Sequence, residues 1–369
     1  MNIPFFDYPK LYLNQQNQIN KVFEDVSSRG AFIMQKDLEE FEKKIAKYTN
    51  SRFAVGVANA TDGLQMALMA GSDHKEGEII ISSHTMVATA SAIHFSGFKP
   101  VPVEAGNDLS IDPVSLEMAI NENTVGIMPT QLNGRTCDMD KINEIAGANS
   151  LEIFEDAAQA LGSQYKGKFA GTFGKASAIS LYPAKILGCF GDGGIVLTQD
   201  QEIYNKLLLL RDHGRDSETG DVVSWGMNSR LDNLQAGILN FFFESYDSVI
   251  ERRRELASMY EEGLKDLEEL VLPAPPNDGD HFDVFQNYEI RAQKRDELKS
   301  YLSDAGIGTL IQWSGKAIHQ FSNLGLDYEL PFTDRLFEDI LMLPMNYFLK
   351  DQEIDYIVNA VKSFYSHPK

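Results

Sequence analysis

Short apolar runs recur through the first two thirds of the chain: Phe53–Ala58, Glu78–Ser82, Lys99–Val103, Val125–Thr130, Leu151–Glu155, Ala176–Leu181 and Gly194–Thr198. Most are apolar at consecutive positions instead of alternating, which predicts strands covered on both faces. Between them the apolar residues fall at helical spacing, over Asp62–Ala70, Thr85–Phe95, Pro113–Asn121, Asp138–Ala146 and Gln201–Arg211. Pro113 suits a first helical turn. Strand alternating with helix predicts an α/β domain on a mostly parallel sheet.

The pattern changes after about Gln235. A long helical stretch runs to about Glu269, and its Glu251-Arg252-Arg253-Arg254-Glu255 reads as a solvated helix face. A turn-rich break follows, Leu272-Pro273-Ala274-Pro275-Pro276-Asn277-Asp278-Gly279. Beyond it come a strand at Tyr288–Arg291, a helix over Lys294–Asp304, a strand near Leu310 and a last helix from Asp351. This predicts a large domain over residues 1–240 and a small α+β domain over 241–369.

Composition narrows the function. Hydrophobic residues make up 43% and charged residues 24% of 369, enough apolar surface for a folded core. The formal net charge of −21 disfavours nucleic acid and anionic membranes as partners, and an anionic small molecule would need a local cluster of donors. Cys137 and Cys189 are the only cysteines, so no disulfide framework is expected and a reducing cytoplasm fits. The first residues have neither the basic start nor the apolar stretch of a secretory leader, and no run approaches the roughly 18 apolar residues of a membrane span.

Three local arrangements carry chemistry. In Ile153-Phe154-Glu155-Asp156-Ala157-Ala158-Gln159-Ala160 an apolar strand ends in two carboxylates, at the strand end where open α/β sheets bind ligands. In Ser180-Leu181-Tyr182-Pro183-Ala184-Lys185-Ile186-Leu187-Gly188 one lysine sits among apolar neighbours, shortly before Gly191-Asp192-Gly193-Gly194. A desolvated lysine loses basicity and becomes a nucleophile, and glycines let backbone pass close to a flat ligand. In Val57-Ala58-Asn59-Ala60-Thr61-Asp62-Gly63-Leu64 a strand turns into a helix N-terminus, where free N–H groups favour an anion. His213 and His319 lack paired ligand spacing, so no metal site is expected.

Together with Asn228-Ser229-Arg230-Leu231-Asp232, these segments resemble the DegT/DnrJ/EryC1/StrS sugar aminotransferases, over nearly the whole chain. The resemblance implies the aspartate-aminotransferase fold, with a mixed, mostly parallel sheet of about seven strands. It implies pyridoxal 5'-phosphate held covalently by Lys185, with Asp156 paired to its pyridine nitrogen. Gln159 matches a residue lying against that cofactor. Ser180, Thr61 and Asp62 match phosphate binders, the last two largely through backbone N–H. Asn228 matches a residue reaching the phosphate from a neighbouring subunit, which implies a homodimer with shared sites. Arg230 is either structural or meets an anionic substrate group. The substrates implied are glutamate and a nucleotide-linked keto-sugar, with a keto-cyclitol or a non-catalytic regulatory role as alternatives. Dehydratase relatives carry histidine in place of the lysine, so Lys185 favours transamination.

Three segments depart from the family pattern. The usual Asn-Thr-aromatic is His84-Thr85-Met86, so Met86 would cover the cofactor ring as a soft apolar face. The usual His-Leu-Tyr-Gly-Gln is Gln131-Leu132-Asn133-Gly134-Arg135, and the usual His-Tyr-Pro is Gln312-Trp313-Ser314, followed by Gly315-Lys316. These positions are expected around the sugar pocket. Arg135 and Lys316 either meet a diphosphate there or serve as plain surface charges.

Overall fold

A computed structural model describes residues 1–366. Seven strands form the main sheet: β1 (Phe53–Val57), β2 (Glu78–Ser82), β3 (Lys99–Val103), β4 (Thr124–Ile127), β5 (Glu152–Asp156), β6 (Ala176–Ser180) and β7 (Gly194–Thr198). Their spatial order is β1-β7-β6-β5-β4-β2-β3, with β7 antiparallel to both neighbours and every other pairing parallel. The strands are buried along nearly their whole length, which is why they read as unbroken apolar runs. Helices Ala60–Gly71, Val87–Phe95, Pro113–Ala119, Met139–Asn149 and Gln201–Arg211 make the connections. Because the parallel strands share a direction, β1, β5 and β6 all end at one edge of the sheet. β7 runs the other way and begins there, with Gly194 opposite both Val57 and Ser180. A Cβ on Gly194 would stand 2.6 Å from the carbonyl carbon of Asn59, so only glycine lets this strand pass the turn after β1.

Three further helices precede the sheet: Tyr8–Leu13, Gln16–Ser28 and Lys36–Tyr48. The expected long helix after Gln235 is two helices, Asn233–Phe243 and Tyr246–Leu264. The break at Ser245 lets Tyr246 turn inward, where its hydroxyl donates to Leu161 O at 2.7 Å.

The second sheet is antiparallel, in the order β8 (Leu270–Val271), β9 (Tyr288–Ala292), β10 (Ile340–Leu343). Its core gathers Leu256, Tyr260, Tyr288, Ile290, Leu298, Leu302, Ile354 and Ile357. Ile3 from the start of the chain joins it and bridges Ile307. The strand expected near Leu310 reduces to an isolated bridge with Met342.

The Arg252–Arg254 cluster is not a solvated face. Arg253, 6% exposed, donates to Phe285 O and Gln286 O, at 2.7 and 2.6 Å. Arg254 holds Asp283 O and Pro276 O, and Arg252 holds Leu349 O and Asp351. Arg253 and Arg254 serve the carbonyls of the segment leading into β9, and Arg252 the start of the last helix; sequence spacing carries no trace of those distant acceptors.

Candidate active site

The carboxyl ends of β5 and β6 bring Asp156, Gln159, Ser180 and Lys185 to one place, beside the N-terminus of the helix Ala60–Gly71. Asp156 is 3% exposed. Its Oδ1 accepts from Ala158 N at 3.1 Å, and its Oδ2 accepts from Thr89 Oγ1 at 2.6 Å. Thr89 Oγ1 lies 2.7 Å from Thr85 Oγ1, which lies 2.7 Å from Thr130 Oγ1. A hydroxyl has one proton, and that of Thr89 goes to Asp156. Thr85 must therefore donate to Thr89, and Thr130 to Thr85. The result is a buried, polarised chain of three hydroxyls ending on the carboxylate. Burial pushes the Asp156 carboxyl above its ordinary value, while Thr89, the Ala158 N–H and the Lys185 charge pull it back. Nothing in the residue spacing pointed to Thr89 or Thr130.

Lys185 sits in a turn whose backbone N–H donates to Tyr182 O at 2.8 Å. Burial pushes its ammonium down to about 8, although Asp156 opposes the shift. Near neutral pH an appreciable fraction is then the free amine, the nucleophilic form. Gln286, from the segment leading into β9, clamps the loop on both sides: Ile186 N donates to Gln286 Oε1 at 2.9 Å, and Gln286 Nε2 donates to Ala184 O at 2.8 Å. Sequence reasoning missed Gln286, which lies a hundred residues beyond the loop.

Gln159 shares a small cavity with Lys185, Ser180 and Ile186. Its Oε1 accepts from Asn133 N at 2.8 Å. Ser180 Oγ accepts weakly from Tyr182 N at 3.3 Å, which leaves its own proton to give. Thr61 and Asp62 lie in the first turn of the helix Ala60–Gly71. The Asp62 N–H is already spent on the Asn59 Oδ1 cap at 2.8 Å, so Thr61 is the freer donor of the two. Met86, 46% exposed, caps the helix Val87–Phe95 through its sulfur, which accepts from Ala88 N.

The other expected residues take separate positions. Asn228 and Arg230 lie with Ile33, Gly191 and Asp192 around an open cavity, and Arg230 pairs with Asp212 at 2.8 Å. Arg135 spends its charge on Asp278 and Asp283, at 2.6 and 2.5 Å, as a tie between distant loops. Gln312 is buried among Asn133 and Glu289, while Trp313, in a left-handed conformation, meets the His84 ring edge-on. Lys316 is exposed, with its ammonium 6.0 Å from the Phe321 ring centre. His319 is engaged on both nitrogens, by Ser83 Oγ at 2.6 Å and Asp334 Oδ1 at 3.0 Å.

These residues fit pyridoxal 5'-phosphate. A buried carboxylate that accepts two hydrogen bonds suits a pyridinium nitrogen, a lysine of lowered basicity suits a covalent carbonyl partner, and a helix N-terminus with a serine hydroxyl suits a phosphate.

Comparison with known proteins agrees with that geometry. A "Pleiotropic regulatory protein" of Geobacillus stearothermophilus is 36% identical over 372 residues, covering 100% of both chains. The dTDP-3-amino-3,4,6-trideoxy-alpha-D-glucose transaminase of Streptomyces venezuelae is 34% identical, over 98% of this chain and 96% of its own. Among solved structures, S. venezuelae DesV in complex with a ketimine intermediate superposes with a TM-score of 0.94 at 34% identity, covering 100% of both chains. The DegT/DnrJ/EryC1/StrS aminotransferase family matches residues 14–362, and the chain belongs to it.

Proposed function

We propose that this aminotransferase moves the amino group of glutamate to a keto-deoxysugar carried on a nucleotide, with pyridoxal 5'-phosphate held covalently by Lys185. The observation that carries the reading is the pair formed by a buried, hydroxyl-supported Asp156 and a desolvated Lys185 at one sheet edge. Relatives named as transaminases of dTDP- and UDP-linked sugars support the substrate class.

The cofactor, when bound, supplies an electron sink for a carbanion at the carbon that gains or loses nitrogen. Asp156 keeps a positive charge on the ring side favourable, and Thr89 keeps Asp156 an acceptor. Lys185, with a basicity near neutrality, takes a proton from substrate carbon and returns one. Thr61 and Ser180 donate toward the phosphate end.

The homodimer belongs to the same proposal. Asn228 follows a loop that leaves Val222, Val223 and Trp225 exposed, the last at 94%, and Phe32, Ile33, Tyr182 and Phe190 are exposed as well. Apolar surface of this kind is what a partner subunit would cover. A cytoplasmic setting fits the two free, buried cysteines.

A regulatory role is the second reading, because the relative from Geobacillus carries that name. Two measurements separate the readings. Borohydride reduction of cofactor-loaded protein should fix the cofactor's mass onto the peptide holding Lys185; labelling of another lysine would sink the assignment. A panel of nucleotide-linked keto-sugars and free ketocyclitols, each with glutamate, should yield an aminated nucleotide sugar by mass spectrometry. No turnover with any member would favour the regulatory reading, and turnover of ketocyclitols alone would move the substrate class.

A further inference from the structure

All three segments that depart from the family pattern meet at one buried carboxyl. Glu289, on β9, is 2% exposed. Its Oε2 accepts from Asn133 Nδ2 at 2.7 Å and from Gln312 Nε2 at 3.1 Å, and His84 Nε2 stands 3.6 Å from the same oxygen.

The hydrogen bonds continue toward Lys185. Asn133 Oδ1 accepts from Gln312 Nε2 at 2.6 Å and from Asn287 Nδ2 at 2.8 Å, so its amide has a single orientation. Its backbone φ of 56° is left-handed, a conformation that must be held in place. Its N–H occupies Gln159 Oε1, which leaves the Gln159 Nε2 hydrogens to point elsewhere, and Gln159 borders the cavity beside Lys185.

His84 and Glu289 also form a titratable pair. His84 Nδ1 faces Leu109 O at 3.3 Å, and a carbonyl only accepts, so Nδ1 carries the hydrogen. In a neutral ring Nε2 is then a lone pair turned toward Glu289, without a donor. Burial pushes the His84 ring down to about 4 and the Glu289 carboxyl up to about 7. Both shifts favour the uncharged pair over the ion pair, with the proton on Glu289. Both amide donors use Oε2, which leaves the partnerless Oε1 to carry it.

We propose that Glu289 is a positioning residue of the transamination site: its carboxyl oxygen fixes Asn133, and Asn133 fixes the amide of Gln159 against the cofactor. This rests on the reading above that Gln159 lies against the cofactor. Four single variants and one double test it: Glu289→Gln, Glu289→Leu, Asn133→Ala, Gln159→Ala, and Glu289→Leu with Asn133→Ala. The readouts are the visible absorption band of the cofactor-loaded enzyme, kcat and KM separately, and the melting temperature. Glutamine matches the carboxyl in shape and still offers an oxygen to Asn133 and Gln312. It should keep the band and hold kcat within about threefold, less than one hydrogen bond's worth. Glu289→Leu and Asn133→Ala should shift the band and lower kcat by about tenfold, the scale of one buried hydrogen bond, with a smaller change in KM. The double variant should be no worse than the more damaged single one, since both break one chain.

A folded Glu289→Leu enzyme with the native band and kcat overturns the proposal, as does a Glu289→Gln enzyme as impaired as Glu289→Leu. If Glu289→Leu fails to fold, Asn133→Ala and Glu289→Gln decide by the same criteria. An unshifted band in Gln159→Ala removes the cofactor contact itself. A shift there, with none in Asn133→Ala or Glu289→Leu, overturns the relay alone.

Discussion

Thr89→Val isolates the hydroxyl chain, because valine keeps the shape of threonine and removes only its proton donor. Asp156 Oδ2 then loses its 2.6 Å hydrogen bond, and Thr85 loses the acceptor of its own proton. A hydrogen bond to a charged group contributes about 1.5–3 kcal/mol, and the orphaned hydroxyl adds about 1 kcal/mol. The larger part is specific to ionised Asp156. Losing it raises the carboxyl's native pKa further. The sign with pH follows from that rise. Burial already lifts the Asp156 carboxyl above its unfolded value, so the native state binds the proton more tightly and the fold loses stability as pH rises through the native pKa. Removing Thr89 widens that gap. The Thr89→Val loss should be full where Asp156 is ionised in both proteins, shrink as pH falls from the variant's native pKa to the wild-type one, and lose its charge-specific part below that, where protonated Asp156 no longer needs the donor. Urea denaturation of the cofactor-free protein, run from neutral pH downward, measures this, with Thr89→Ser as the variant that restores the donor. A loss of equal size at every pH would assign the effect to packing, and no loss at neutral pH would refute the hydrogen-bond argument.

Gln286→Leu removes both bonds that clamp Ala184 and Ile186 around Lys185. It should weaken cofactor retention by about tenfold, the scale of one or two buried hydrogen bonds, with unchanged retention in a titration counting against the clamp. Two inactive variants, one altered at Lys185 and one at Asn228, should regain partial activity when mixed and allowed to exchange subunits, because some dimers then hold one intact composite site. No recovery despite demonstrated exchange would mean that Asn228 serves its own chain.

What the amino-acid order discloses depends on how far apart the interacting residues lie. β2, β3, β7 and the helix Gln201–Arg211 appear at the residues read from pattern, because each is bounded by turn residues and has a face or length that burial dictates. The helix Gln16–Ser28 stayed hidden, since it buries only Ile19 and Val26 among many polar residues. β10 stayed hidden because Ile340 follows the helix Pro331–Asp339 with no turn residue between them. The site divides in the same way. Asp156, Gln159, Ser180 and Lys185 fall in two contiguous stretches, and their chemistry is visible in residue type and neighbours alone. Thr89, Gln286 and Glu289 act on those residues from other elements, and each is an unremarkable polar residue in its own segment. Arg135 shows the converse. Its charge suggested an anionic ligand or a plain surface role, and the loop that ends at Asp283 brings it two carboxylates, which no local reading of Gln131–Arg135 contains. The departures at His84, Asn133 and Gln312 are likewise three separate oddities along the chain. They become one feature only when β9 places Glu289 between them, and a change at any one of the four should therefore be felt by the other three.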